Sequence, residues 1–128
     1  MAQRHHAAAL RVTVVDDDPA VCSSLKFSLE LDGFVVRTYS GGGDLLAAAD
    51  LHDCDCFVID QRMQGMSGIE LIGRLRERKA TAPVILVVSS HPNSALSARA
   101  AAAQIPIVEK PFLGNALLDK IREACRQA

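Results

Sequence analysis

The stretch VVDDDPAV, residues 14–21, joins the end of an apolar run to the start of a helix. Val14 and Val15 are β-branched residues of the kind that favour a buried strand. Asp18 and Pro19 predict a helix start, because aspartate is a good N-cap and the first helical position tolerates proline. Three carboxylates are thus crowded between a strand and a helix. Like charges in such a place require a cation or hydrogen-bond donors to offset them.

The same order of strand and helix recurs along the chain. Short apolar runs rich in β-branched residues predict strands at residues 12–15, 34–39, 56–59, 84–88 and 105–108. Two of these runs, FVID and VILVV, place apolar residues at consecutive positions, as expected of strands covered on both faces. Strict alternation with helices predicts right-handed crossovers and an α/β fold. Its core is a five-stranded parallel sheet with helices on both faces.

The helical segments have recognisable boundaries. The first begins at Pro19 and ends at Asp32-Gly33, and the second follows the glycine-rich stretch at residues 40–44. Ser67 and Glu70 match a capping box that opens the third helix. The fourth helix, about residues 94–104, is alanine-rich, and the fifth covers residues 112–126. The predicted inward positions of the first, second, third and fifth helices are Val21, Leu25 and Leu29; Leu45, Leu46 and Ala49; Ile69, Ile72 and Leu75; and Leu113, Leu117, Ile121 and Cys125.

Length and composition narrow the class of protein. The 128 residues predict one domain at 11–128 after an N-terminal tail at 1–10. With 14 Lys and Arg against 15 Asp and Glu, the chain has no basic excess for direct nucleic-acid binding. No signal peptide or membrane span is recognisable, which predicts a cytoplasmic protein. In that reducing compartment we expect the cysteines to be small buried apolar residues: Cys22, Cys54, Cys56 and Cys125.

Polar residues follow four of the five predicted strands. Asp16 and Asp17 follow the first strand, Asp60 the third, Ser89 the fourth and Lys110 the fifth. The carboxyl ends of parallel strands meet at one edge of a sheet, where ligands bind in folds of this class. Three carboxylates suit Mg²⁺, which prefers oxygen ligands. A hydroxyl and an ammonium beside that ion suit a phosphoryl group, so the sequence predicts a site for phosphoryl transfer.

These motifs resemble the receiver domain of two-component response regulators. The resemblance rests on DD after the first strand, D after the third, S after the fourth and KPF after the fifth. The stretches DQRMQGMSG at 60–68 and VEKPF at 108–112 are similar to receivers of nitrogen-fixation-class transcriptional regulators. The resemblance implies a (βα)5, flavodoxin-like receiver fold. It also implies a signalling switch that is not a turnover enzyme.

The resemblance assigns a role to each strand-end residue. Asp60 would be the phosphoacceptor, taking its phosphoryl group from a sensor histidine kinase or phosphotransfer protein. Asp16, Asp17 and Asp60 would hold Mg²⁺ together with the backbone carbonyl of Arg62. Lys110 would pair with Asp60 and later with the phosphoryl oxygens.

Further expectations concern signal output. Ser89, favoured over Ser90, would bind the phosphoryl group and transmit its presence. The fourth helix, fifth strand and fifth helix would form a homodimer or meet a downstream protein. Candidate contacts on that surface are Arg99, Lys120 and Arg122.

Two positions depart from the family pattern, and alternatives stay open. Gln64 replaces a proline, which loosens the loop after Asp60, and Ile107 replaces an aromatic switch residue. Both departures are compatible with a receiver-fold interaction module that works without phosphorylation. A phosphatase with an aspartate nucleophile is disfavoured, because Arg62 stands where that class commonly has a second aspartate. The chain can be a stand-alone receiver or part of a longer regulator.

Overall fold

The computed structural model describes residues 9–89, 92–110 and 115–127. Within these ranges five strands and five helices alternate, as predicted. The strands are β1 (Arg11–Val15), β2 (Val35–Tyr39), β3 (Cys56–Asp60), β4 (Val84–Val88) and β5 (Ile107–Glu109). The helices are α1 (Pro19–Leu31), α2 (Gly42–Leu46), α3 (Gly68–Glu77), α4 (Ser94–Ala102) and α5 (Ala116–Gln127). The N-terminal tail at residues 1–8, Ser90, Phe112 and Leu113 lie outside the described residues.

The strands form one parallel sheet in the order β2-β1-β3-β4-β5. Every residue of β3 and β4 is buried, because each strand has sheet neighbours on both sides and helices over both faces. Helices α2, α3 and α4 pack on one face and α1 and α5 on the other. The predicted fold class is therefore confirmed. None of the helices in the described ranges combines the length and apolarity needed to cross a membrane.

Several predicted boundaries and buried positions were wrong. Helix α2 ends at Leu46, so Ala49 lies beyond it in an exposed turn. In α3 the predicted positions Ile72 and Leu75 are buried, but Ile69 is only partly buried and Leu71 is buried in its place. Apolar residues spaced three or four positions apart can be chosen on more than one face of a helix. Tertiary packing decides which of these faces is buried. Helix α4 ends at Ala102 because Gln104 adopts a positive φ of 58°.

The strand ends also shift by one or two residues. Phe34 and Ile105 are buried but lie just before β2 and β5, so burial extends beyond the hydrogen-bonded ladder. Strand β3 continues to Asp60, which pairs with Val87 of β4. The phosphoacceptor candidate is thus part of the sheet itself.

The cysteines are free thiols in apolar surroundings. Cys22, Cys54 and Cys56 are buried, and Cys125 is half-buried. Burial is the largest cause that raises the pKa of each of these thiols. A thiol with a raised pKa carries little thiolate and reacts slowly. These residues therefore serve as small apolar side chains.

Side chains cap the starts of α1, α3 and α4, the helices that follow β1, β3 and β4. The Asp18 carboxylate accepts a hydrogen bond from the N–H of Ala20 at the start of α1. Ser67 and Glu70 form a complete capping box at the start of α3. The Asn93 side chain accepts from the N–H of Leu96 in α4. These caps set where each loop at the sheet edge ends.

Gly68 allows α3 to begin directly against the end of β3. A Cβ at this position would lie 2.6 Å from the backbone oxygen of Asp60 and 2.9 Å from Cα of Gln61. Both atoms belong to the backbone and cannot rotate away. The close approach therefore requires glycine and holds the loop after Asp60 in place.

We expect Gly68→Ala to lower the free energy of unfolding by about 2 kcal/mol, because an overpacked core must shift backbone atoms. Chemical denaturation of the two proteins measures this difference. Gly73→Ala is the matched control, since it lies in the same helix and its Cβ would meet no atom within 4 Å. That control should be neutral or stabilising by up to ~1 kcal/mol. Equal stability of the Gly68→Ala and wild-type chains would contradict the close approach.

Candidate functional site

Three carboxylates converge at the carboxyl edge of the sheet. Asp16 and Asp17 follow β1, and Asp60 is the last residue of the neighbouring β3. One oxygen from each side chain lies within 4.8 Å of the others. Asp16 and Asp60 are only 4% and 6% exposed, whereas Asp17 faces solvent. The pairing of β1 with β3 thus gathers residues that are 44 positions apart in the sequence.

Lys110 joins two of these carboxylates from the other side. The pairing of β5 with β4 continues past β5, where the N–H of Lys110 donates to the carbonyl oxygen of Val88 at 2.7 Å. The ammonium then lies 3.0 Å from Asp16 Oδ2 and 3.2 Å from Asp60 Oδ1. The sequence predicted the pair with Asp60. It did not predict the equally close contact with Asp16.

The electrostatics of the site show incomplete compensation. Burial, followed by the negative charge of Asp16, raises the pKa of Asp60, although Lys110 opposes this shift. Burial alone would lower the pKa of Lys110. Its hydrogen bonds to Asp16 and Asp60 outweigh that effect and raise the pKa. One ammonium therefore does not neutralise three neighbouring carboxylates, and the site retains an excess of negative charge.

Backbone amides hold the two carboxylates that follow β1. The N–H of Asp18 donates to Asp16 Oδ1 at 2.9 Å, and the N–H of Gln64 donates to Asp17 Oδ2 at 3.2 Å. The first bond is a local turn between residues two apart, a habit of aspartate that the sequence could have revealed. The bond from Gln64 to Asp17 joins two different loops, and no local sequence pattern predicts it.

The donor set fits a hard divalent cation. The three carboxylates offer oxygen atoms at the spacing of a shared ligand site, and the uncompensated negative charge favours a cation there. Arg62 lies two residues after Asp60 on the exposed loop that leads to α3. The residues in place therefore match the chemistry of Mg²⁺, which binds a few carboxylates and keeps several waters.

Ser89 directly follows β4, the strand next to β3. It is exposed and lines a groove of about 510 Å³ between the loop after Asp60 and α4. Arg62, Met63, Leu96 and Arg99 line the same groove. Ile107, the atypical position, is half-buried against the core on the face covered by α3 and α4. The groove thus connects the strand ends to the surface of α4.

Comparison with known sequences identifies the family of this chain. The sequence pattern of the response regulator receiver domain matches residues 12–122. The C4-dicarboxylate transport transcriptional regulatory protein DctR of Rhodobacter capsulatus is 36% identical over 110 residues, which cover 84% of this chain and 56% of DctR. The transcriptional regulatory protein FixJ of Bradyrhizobium diazoefficiens is 35% identical over 118 residues, covering 91% of this chain and 57% of FixJ. The chain therefore spans about half the length of these relatives.

A solved structure has the same fold as this chain. The crystal structure of FixJ-N is 30% identical, with a TM-score of 0.81. The similarity covers 95% of this chain and 98% of that one. Receiver domains of this kind act in signalling and not in the turnover of small molecules. On the family match, the sequence identity and the shared fold, this chain belongs to the response regulator receiver domain family.

Proposed function

We propose that this chain is a phosphorylation-controlled switch of a two-component system. It accepts a phosphoryl group from a sensor histidine kinase or phosphotransfer protein onto Asp60, and it passes the signal on through protein contacts. The observation that supports this proposal is the position of Asp60. Its carboxylate is nearly buried at the sheet edge, next to Asp16 and Asp17 and in contact with Lys110.

The chemistry is a phosphoryl transfer between two protein side chains. A carboxylate oxygen of Asp60 attacks the phosphorus of phosphohistidine, the P–N bond breaks, and the electron pair returns to the imidazole. Asp16, Asp17, Asp60 and the backbone carbonyl of Arg62 would hold Mg²⁺. When bound, the ion would offset the repulsion between the carboxylate nucleophile and the phosphoryl oxygens. Because Lys110 compensates the three carboxylates only in part, the transfer would require a metal ion.

Lys110 and Ser89 would respond to the new group. Lys110 already contacts Asp60, so a short movement would bring its ammonium to the phosphoryl oxygens. The Ser89 hydroxyl, exposed at the neighbouring strand end, would donate a hydrogen bond to the same oxygens. Ile107 stands at the position of an aromatic switch residue. It would transmit the change through its packing against the core, or phosphorylation would have a weaker structural readout. Among its described residues, α4 buries only Ala100, so little packing resists a shift of that helix.

We place this switch in the cytoplasm, where kinases have access to ATP. The output surface would comprise α4, β5 and α5, with Arg99 and Lys120 as contacts for a second copy or a downstream protein. Arg122, the third predicted contact, instead lies over the ring of Phe34, a residue just after the end of α1, at 5.9 Å from the ring centroid. We propose no direct nucleic-acid binding by this chain, since its formal net charge is −1. A phosphorylation-independent interaction module is the alternative, and the replacements at Gln64 and Ile107 are compatible with it.

Phosphodonor labelling tests the role of Asp60. In Mg²⁺ and acetyl phosphate, intact-protein mass spectrometry should show one added phosphoryl group on the wild type and none on Asp60→Asn. The control is Asp53→Asn, an exposed carboxylate outside the site, which should label like the wild type. Full labelling of Asp60→Asn would refute the assignment. Failure of the folded wild type to label would favour the interaction module.

Removal of Asp17 tests the metal site. We expect Asp17→Ala to lose Mg²⁺ binding measured by calorimetry and phosphoryl labelling together, because both depend on the same carboxylate. Asp53→Ala is the matched control. If Asp17→Ala still binds Mg²⁺ and is still labelled, Asp16 and Asp17 have a structural role only.

The raised pKa of Asp60 predicts a dependence of stability on pH in metal-free buffer. A carboxyl whose pKa is higher in the folded state binds its proton more tightly there. Stability therefore falls as the pH rises from the ordinary value of 3.8 through the folded pKa. Asp60→Asn stays neutral, so its melting temperature at pH 7 should exceed that of the wild type.

The advantage of Asp60→Asn should shrink below pH 3.8, where both side chains are neutral. Lys110 keeps its contact with Asp16 in this variant, so the test isolates the charge of Asp60. Thermal unfolding at several pH values measures the difference, with Asp53→Asn as the control. A variant less stable than the wild type at pH 7 would show that Lys110 more than compensates Asp60.

A further inference from the structure

We propose that Gln64 is a positioning residue of the Mg²⁺ site, because its backbone N–H orients the carboxylate of Asp17. This inference rests on the proposed function. Within residues 9–89, 92–110 and 115–127, the Gln64 N–H is the one hydrogen-bond donor to the Asp17 side chain, at 3.2 Å. Asp16 and Asp60 are nearly buried and are held by Lys110. Asp17 is exposed and has no such support from a side chain.

The loop that carries Gln64 is anchored at both ends. At one end Asp60 is part of β3, and at the other Ser67 caps α3. The side-chain oxygen of Gln61 also accepts from the N–H of Ile69 at 2.9 Å, and this contact draws the two ends together. The middle of the loop reaches the end of the neighbouring strand β1, where the Gln64 N–H donates to Asp17. The donor thus sits on a constrained loop and can hold the carboxylate in one orientation.

Only a residue with an amide proton can make this contact. The resemblance described above leads one to expect proline at position 64, and proline has no N–H to donate. Replacement of proline by Gln64 therefore has a consequence beyond a looser loop. It adds a donor that faces a carboxylate of the metal site.

The expected effect on the metal is favourable. In the exposed position of Asp17, water would satisfy the carboxylate if Gln64 did not, so the hydrogen bond itself changes little. The hydrogen bond instead orients the Asp17 side chain before the ion binds. A side chain that is already oriented loses less conformational entropy on binding. The bond uses Oδ2 and leaves Oδ1 available. It also fixes the loop two residues after Arg62, whose carbonyl is a proposed ligand.

A pair of variants at one position separates the backbone donor from the side chain. Gln64→Ala keeps the N–H, whereas Gln64→Pro removes it. By calorimetry at constant ionic strength, Gln64→Pro should bind Mg²⁺ about tenfold more weakly than Gln64→Ala, the lower end of the effects seen for groups that orient metal ligands. Thermal unfolding establishes that both variants are folded. Equal Mg²⁺ affinity of the two folded variants would overturn the proposal.

A second measurement does not depend on the proline variant. In metal-free wild type, amide hydrogen exchange at Gln64 should be slowed by its bond to Asp17, and exchange should become faster in Asp17→Ala. Asp53→Ala, on a distant loop, should leave the Gln64 amide unchanged. An unprotected Gln64 amide in the wild type would overturn the positioning role.

These outcomes differ from a failure of the proposed function. If the wild type binds Mg²⁺ and labels on Asp60 while the two Gln64 variants bind the ion equally, the phosphorylation site stands and the positioning role falls. If the folded wild type does not bind Mg²⁺ at all, the proposed metal site itself fails, and the role of Gln64 fails with it.

Discussion

The crowding of three carboxylates against one lysine is the constraint on which the rest of this structure depends. Asp16 and Asp60 are almost completely buried, so neither can rely on water to disperse its charge. Lys110 contacts both, yet burial and Asp16 still raise the pKa of Asp60. A parallel sheet holds these groups together in spite of their repulsion, because the repelling atoms lie at the ends of strands whose cores are apolar.

That sheet can hold the charges because its centre is rigid. Strands β3 and β4 are buried along their whole length, and their pairing extends to Asp60. The tight contact of Gly68 with the end of β3 then fixes where α3 begins. The free energy gained by burying the apolar strands therefore offsets the repulsion between the carboxylates at the polar edge. The excess of negative charge at this edge favours a cation, as the proposed function requires.

The face around α4 has the opposite character. Its described residues bury only one alanine, and a groove separates it from the loop after Asp60. A rigid edge next to a weakly packed helix is a suitable arrangement for a switch, because a small change at the edge meets little resistance there. On the other side of Asp60, the loop with Gln64 joins the end of β3 to the end of β1 through the hydrogen bond to Asp17. Metal binding and loop order are thus expected to favour each other.

The sequence by itself determined the order of strands and helices and the residues at the strand ends. It also indicated the helix caps at Asp18 and Ser67. These features depend on periodicity and on interactions between near neighbours, which the order of residues encodes directly. The convergence of Asp16, Asp60 and Lys110 could be predicted as well, because parallel strands bring their carboxyl ends to one edge.

Only the tertiary structure decided which atoms meet at that edge. The second contact of Lys110, with Asp16, depends on the direction in which a long side chain leaves β5. The bond from Gln64 to Asp17 joins two loops 47 residues apart, and its donor is a backbone group that every residue except proline possesses. The burial of Leu71 and the early end of α2 likewise follow from packing against other elements. Such contacts depend on three-dimensional loop paths, for which a linear pattern carries no local signal.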